Sequence, residues 1–177
     1  MAKNNEINLF NIYVLLLDES ISGYGLEKEV GISRTTLLKV RTDKEKFLSL
    51  SINTLVKLQE WLNSDAGKAY LSSPANDYNL RVMEDLDLGT CDFCKKINLV
   101  EVENIIINPT IKTKLLKEFA GFSSMERSLV KRGKKSILSM TLRKITKIQS
   151  LSNEINKKGL PIASYKRLCL IKKSLTI

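Results

Sequence analysis

Five apolar positions set around one glycine constrain this chain more than anything else in it: Leu26, Val30, Ile32, Leu37 and Val40, with Gly31 between the second and third. Leu26 and Val30 stand four apart and share one helix face. Gly31 has the backbone freedom for a sharp turn, Ile32 fills the corner, and Ser33 can cap a second helix. Leu37 and Val40, three apart, then face back toward Leu26 and Val30. The spacing predicts two short helices packed across a tight turn. Upstream, Leu9 to Leu17 reads as a first helix ended by Asp18-Glu19-Ser20, with Ser22 placed to cap the next. Downstream, Leu55, Leu58 and Leu62 share one side of a closing helix between Leu50 and Leu62. The expectation is an all-α N-terminal domain of about five helices.

The wording of Gly31 to Leu37, Gly-Ile-Ser-Arg-Thr-Thr-Leu, closely resembles the Cro/repressor-type (XRE) helix-turn-helix family, and the likeness extends over residues 9–62. It implies a DNA-binding domain whose second helix lies in the major groove while the first crosses the backbone. Carried over position by position, Arg34, Thr35 and Lys39 match the base-reading positions. Arg34 suits a two-bond contact to guanine, and the Thr35 methyl suits thymine. Thr36 and Leu38 are their neighbours on that face. Ser33 and its helix N-terminus suit a phosphate, and Arg41, Lys44 and Lys46 suit a clamp on the backbone. The resemblance also implies a homodimer on an inverted repeat, with half-sites one helical turn apart. Two features depart from the pattern. Glu27 stands where the family usually has alanine, and Gly23 and Gly25 in the first turn of a helix cost roughly 1 kcal/mol each relative to alanine.

Charge divides the chain. The net charge is +10, yet residues 1–73 carry nine Lys/Arg against nine Asp/Glu, while residues 112–177 carry seventeen against three. Between Glu126 and Glu154 there is no acidic residue, and Arg127, Lys131, Arg132, Lys134, Lys135, Arg143, Lys144 and Lys147 all fall there. Such a lopsided segment points to a basic patch for nucleic acid or an acidic protein surface. Gly67, Ser72, Ser73, Pro74 and Asn76 have the composition of a connector, although Ala66 to Leu71 can extend a helix first. The expected division is residues 1–66 as the DNA-binding domain, 67–77 as linker and 78–177 as a basic C-terminal domain.

That C-terminal domain reads as α+β. Leu80, Val82, Val100, Val102 and Ile105 to Ile107 favour strands, and Leu88-Gly89-Thr90 favours a turn, which together predict a small hairpin or meander. Helices follow, with Ile111, Leu115, Leu116 and Phe119 on one face and Ile137 or Leu138, Leu142, Ile145, Ile148 and Leu151 on another.

Chemistry is sparse. Histidine is absent, which removes the commonest general base and every imidazole zinc site. Cys91 and Cys94 have the spacing of half a metal or redox site, but only Cys169 remains to complete it, so two reduced thiols are the simpler reading. Glu84, Asp85 and Asp87 read more simply as an exposed acidic turn than as a Mg²⁺ site. No enzyme activity, cofactor or metal is expected. Apolar runs fall far short of the ~20 residues of a membrane span, and the N-terminus does not read as a signal peptide, so the expectation is a cytoplasmic protein. Two functions fit: a repressor of its own operon whose basic domain adds DNA contacts or dimerisation, or such a repressor fused to an effector. The second layout resembles phage-encoded anti-CRISPR proteins, which implies inhibition of an RNA-guided CRISPR nuclease by the C-terminal part.

Overall fold

The structure, a computed structural model, describes residues 6–74, 96–133 and 135–158. Strand β1 (Glu6–Asn8) leads into α1 (Leu9–Leu17), followed by α2 (Gly23–Val30), α3 (Arg34–Thr42), α4 (Lys44–Leu48), α5 (Ile52–Leu62) and α6 (Asp65–Leu71). The order then begins again. Strand β2 (Lys96–Asn98) leads into α7 (Leu99–Ile107), α8 (Thr113–Ala120), α9 (Ser124–Lys131), a 3-10 turn (Ile137–Ser139) and α10 (Leu142–Lys158).

The two series correspond residue by residue, each position of the second lying 90 after its counterpart, as Ile97 does after Ile7. Gly31 and Gly121 both end a helix in the left-handed region, with φ of 77° and 64°. Ser33 and Ser123 both cap the helix that follows, each accepting from a backbone N–H three residues on. Asn8 and Asn98 both cap a first helix with their side chains, and their own N–H groups donate to Gln59 Oε1 at 2.8 Å and Gln149 Oε1 at 3.0 Å. The chain is an internal duplication.

Its halves are joined about a local two-fold axis. β1 and β2 pair antiparallel with Ile7 directly opposite Ile97, its own counterpart. The pairing is reciprocal elsewhere too: Ile52 N donates to Met140 O at 2.9 Å, and its counterpart Leu142 N donates to Leu50 O at 2.8 Å. α5 packs on the 3-10 turn of the second half, and α10 packs on α4 of the first. A single apolar cluster runs through both halves and includes Ile7, Phe47, Ile52, Ile97, Ile137 and Leu142.

This arrangement corrects the expected C-terminal fold. Val100, Val102 and Ile105 to Ile107 belong to helix α7 and not to a hairpin. Asn98 accepts from the N–H groups of Val100 and Glu101, which starts the helix, and Val102, Ile105 and Ile106 then share its buried face. Burial against α9 and α10 overrides the strand preference of β-branched residues. The strands among the described residues are three residues long and lie at the junction of the halves. Leu80, Val82, Leu88-Gly89-Thr90, the acidic turn at Glu84, Asp85 and Asp87, and Cys91, Cys94 and Cys169 lie outside the described residues. The first part of the expected linker is also ordered, since Gly67 is buried inside α6, which packs on α5.

The copies differ at the closing helix. α5 stops at Leu62, where Ser64 caps the start of α6 and Tyr70 reaches back to donate to Asp18 at 3.1 Å. That contact pushes the Tyr70 hydroxyl pKa up, through burial first and then through the Asp18 charge. α10 continues without a break to Lys158.

Candidate nucleic-acid interface

Helix α3 is held from beneath. Leu37 and Val40 are buried with Leu26, Val30 and Ile32. Residues 34, 35, 38 and 39 therefore project from the opposite side, within one continuous helical face. Arg34, Thr35, Leu38 and Lys39 are all exposed, Leu38 at 63% despite being apolar. Ser33 Oγ accepts from Thr36 N at 3.2 Å and lies 2.8 Å from Thr36 Oγ1, so these two hydroxyls are engaged with one another at the cap. Ser22 occupies the N-cap position of α2 without a side-chain bond to it.

Glu27 points outward and holds Arg34, its carboxylate 2.8 Å from Arg34 Nε. The departure at residue 27 thus sets a carboxylate beside the arginine at the start of the exposed face. Gly23 fits the same corner, because a Cβ there would meet Leu37 Cδ2 at 3.3 Å and Arg34 Cγ at 3.5 Å.

Arg41 is engaged internally. Its guanidinium donates to Leu16 O at 2.9 Å, Asp18 O at 2.7 Å and Ile21 O at 3.2 Å, tying the open C-terminus of α1 to α3. Lys46 is exposed, with Asp43 at 3.9 Å, and the side chain of Lys44 is not described. Of the expected contacts, Arg34, Thr35, Leu38 and Lys39 come together on one face, with Thr36 half-buried beside them.

The expected basic patch breaks up. Arg127 is buried and donates to Ile106 O at 2.8 Å, to Thr113 Oγ1 at 2.8 Å and to Asn108 O. Burial pushes its pKa down. Ile106 and Asn108 are the counterparts of Leu16 and Asp18, so Arg127 performs the task of Arg41 from one helical turn earlier. Lys135 and Lys144 both bind Glu126, at 3.1 Å and 3.0 Å. Burial raises the Glu126 pKa, but the Ser123 N–H and the two lysines outweigh it and hold the carboxyl at about 2. Arg143 pairs with Glu45 across the junction of the halves. Lys134 lies outside the described residues. Lys131, Arg132 and Lys147 remain exposed and without a salt bridge among the described residues.

The second helix pair has a different outward face. Where the first pair has Arg34, Thr35, Leu38 and Lys39, the second has Ser124, Met125, Ser128 and Leu129. Where the first has Ser22, Tyr24 and Glu27, the second has Lys112, Lys114 and Lys117, all exposed. These lysines escaped the sequence reading, because only the repeat shows which positions they occupy. A depression of about 280 Å³ lies here, lined by Thr113, Ser124, Arg127, Ser128, Lys131 and Arg132. Among the described residues no group of acidic or cysteine side chains is placed to hold a metal ion, and no helix is long and apolar enough to cross a membrane.

Comparison of the chain with known protein families, with curated proteins and with solved structures finds no match.

Proposed function

We propose that the protein is a sequence-specific duplex-DNA-binding regulator of transcription, with α3 as its reading helix. The observation that carries this is the two-sided character of α3. Leu37 and Val40 anchor it, while Arg34, Thr35 and Lys39 stand together on the exposed side of a nine-residue helix that begins at a capped end. A major groove admits such a helix, and its base edges accept from arginine and lysine and contact the threonine methyl. The likeness of Gly31 to Leu37 to the Cro/repressor-type family supports the same reading, including repression of its own operon by occupying a site there.

Glu27 gives Arg34 a second property. In the free protein the carboxylate pre-orients the guanidinium, and on DNA it repels phosphates unless Arg34 stays beside it. The rival reading, an effector against a CRISPR nuclease, drew on a second half unlike the first. The repeat over residues 96–153 weakens that premise, and no observation among the described residues of the second half favours a nuclease over DNA.

The test is selection of preferred sites from random duplexes by the full chain. Arg34→Ala should broaden the preference at one position and weaken binding to the selected site by ~1–3 kcal/mol. An unaltered preference in that variant would reject α3 as the reading helix.

A further inference from the structure

We propose that one chain engages one duplex with both of its helix pairs, α3 reading bases in one half-site while α8 and α9 grip the phosphates of the other with little regard to sequence. This inference rests on the reading of α3 given above.

The local two-fold axis is the first support. DNA-binding dimers of the helix-turn-helix kind meet two half-sites because a two-fold axis in the protein matches one in the duplex. Here the axis lies within a single chain, through the pairing of Ile7 with Ile97 and the reciprocal bonds of Ile52 and Leu142. No second chain is required to present the second helix pair.

The second support is the direction of divergence between the copies. Replacing Arg34, Thr35 and Lys39 by Ser124, Met125 and Leu129 removes the donors suited to guanine and leaves an exposed methionine, 72% accessible. The same comparison adds cations beside that face: Lys112, Lys114 and Lys117 for Ser22, Tyr24 and Glu27, and Arg132 for Thr42, against one loss, Glu118 for Lys28, which stands 3.9 Å from Lys114. In the family that the first pair resembles, the helix corresponding to α8 crosses the DNA backbone. Over residues 96–153 basic residues outnumber acidic ones by twelve to four, against seven to eight over 6–63.

The third support is the depression between α8 and α9. Because Arg127 caps α7 from the core side, Lys131 is released to the surface, whereas its counterpart Arg41 is tied down. Lys131 and Arg132 line a hollow together with Ser124 and Ser128. Cations and small hydroxyls around a concavity suit a phosphodiester and carry no base code.

The experiment uses the full chain and the duplex selected by it. Native mass spectrometry should give one chain per duplex, and hydroxyl-radical footprinting should show two protected patches about one helical turn apart. Lys131→Ala with Arg132→Ala should weaken binding to the selected site and to random duplex by a similar factor, about tenfold, and lower the salt slope by about two. The selected consensus should stay as it is, and thermal unfolding of this surface variant should match the parent. Two chains per duplex, or one protected patch with binding indifferent to the double substitution, would overturn the pairing while leaving α3 as reader. Selection that returns no preferred site would overturn both.

Discussion

At the residue scale the most instructive side chains are two arginines that do one job from different positions. A helix leaves its last carbonyls without intrahelical partners, and the half-buried ends of α1 and α7 find them in a guanidinium from a later helix. Arg41 supplies them in the first half and Arg127 in the second. The chain has kept the guanidinium in space while moving its Cα by one turn. This swap gives a prediction with a built-in rescue. Arg127→Leu should cost ~2–3 kcal/mol in urea unfolding, because the carbonyls of Ile106 and Asn108 lose a charged donor. Adding Lys131→Arg to that variant recreates the Leu37 and Arg41 arrangement of the first half and should restore much of the loss. A double variant no more stable than the single one would refute the equivalence of the two guanidinium sites. The residue scale also shows where counting charge misleads. Arg127, Lys135 and Lys144 are engaged within the protein and Arg143 pairs with Glu45 at its surface, whereas Lys112 and Lys117 stand exposed without a salt bridge among the described residues.

At the scale of elements, most helices were legible, since their boundaries follow from capping and apolar period. Leu9–Leu17 is a helix as its composition suggests, and Ser33 caps α3 as its position suggests. α7 was not legible, because a run of Val and Ile carries a strand preference that only burial of Val102, Ile105 and Ile106 against neighbouring helices overcomes. α6 was only partly legible, since Ala66 to Leu71 can extend a helix while turn-forming residues follow at once. Gly67 reads as linker, yet it is the residue that lets α6 approach the end of α5. A Cβ at Gly67 would overlap the Trp61 carbonyl and the Leu62 backbone. Gly67→Ala should therefore detach α6 and expose Tyr70, lowering stability by ~2 kcal/mol or more. Gly25→Ala is the control: a Cβ there finds Ser22 Cβ at 4.0 Å, so it should be neutral or stabilising. Thermal unfolding of the two variants decides the point, and equal behaviour would mean that α6 contributes nothing to α5.

At the scale of the whole molecule, two helical halves share one apolar cluster and are joined by a two-residue-deep network at Leu50, Ile52, Met140 and Leu142 and by a three-residue strand pair. Halves coupled in this way should unfold together. Trp61, the only tryptophan, sits in the first half and reports on it alone. Ile145→Ala, in the core of the second half, should lower stability by ~2–4 kcal/mol and shift the Trp61 fluorescence transition as far as the circular dichroism transition. A Trp61 transition that stays in place while the circular dichroism trace splits would show that the halves unfold separately. The joint core also gives the two outward faces a fixed relation, which is what a single chain needs in order to meet two half-sites of one duplex.

The amino-acid sequence alone determined what acts over one or two helical turns. The turn at Gly31, the cap at Ser33, the anchored side of α3 and the exposed side carrying Arg34, Thr35 and Lys39 all follow from spacings of three and four residues. The repeat was present in the letters as well, in Gly31-Ile32-Ser33 against Gly121-Phe122-Ser123 and in Ile7-Asn8-Leu9 against Ile97-Asn98-Leu99, but substitution elsewhere had blurred it. Only the tertiary structure decided that these stretches are counterparts, that Ile7 faces Ile97, and that Glu126 gathers Lys135 and Lys144 while Lys131 is left exposed. Those outcomes depend on burial and pairing between residues far apart in the chain, where local period and capping carry no information.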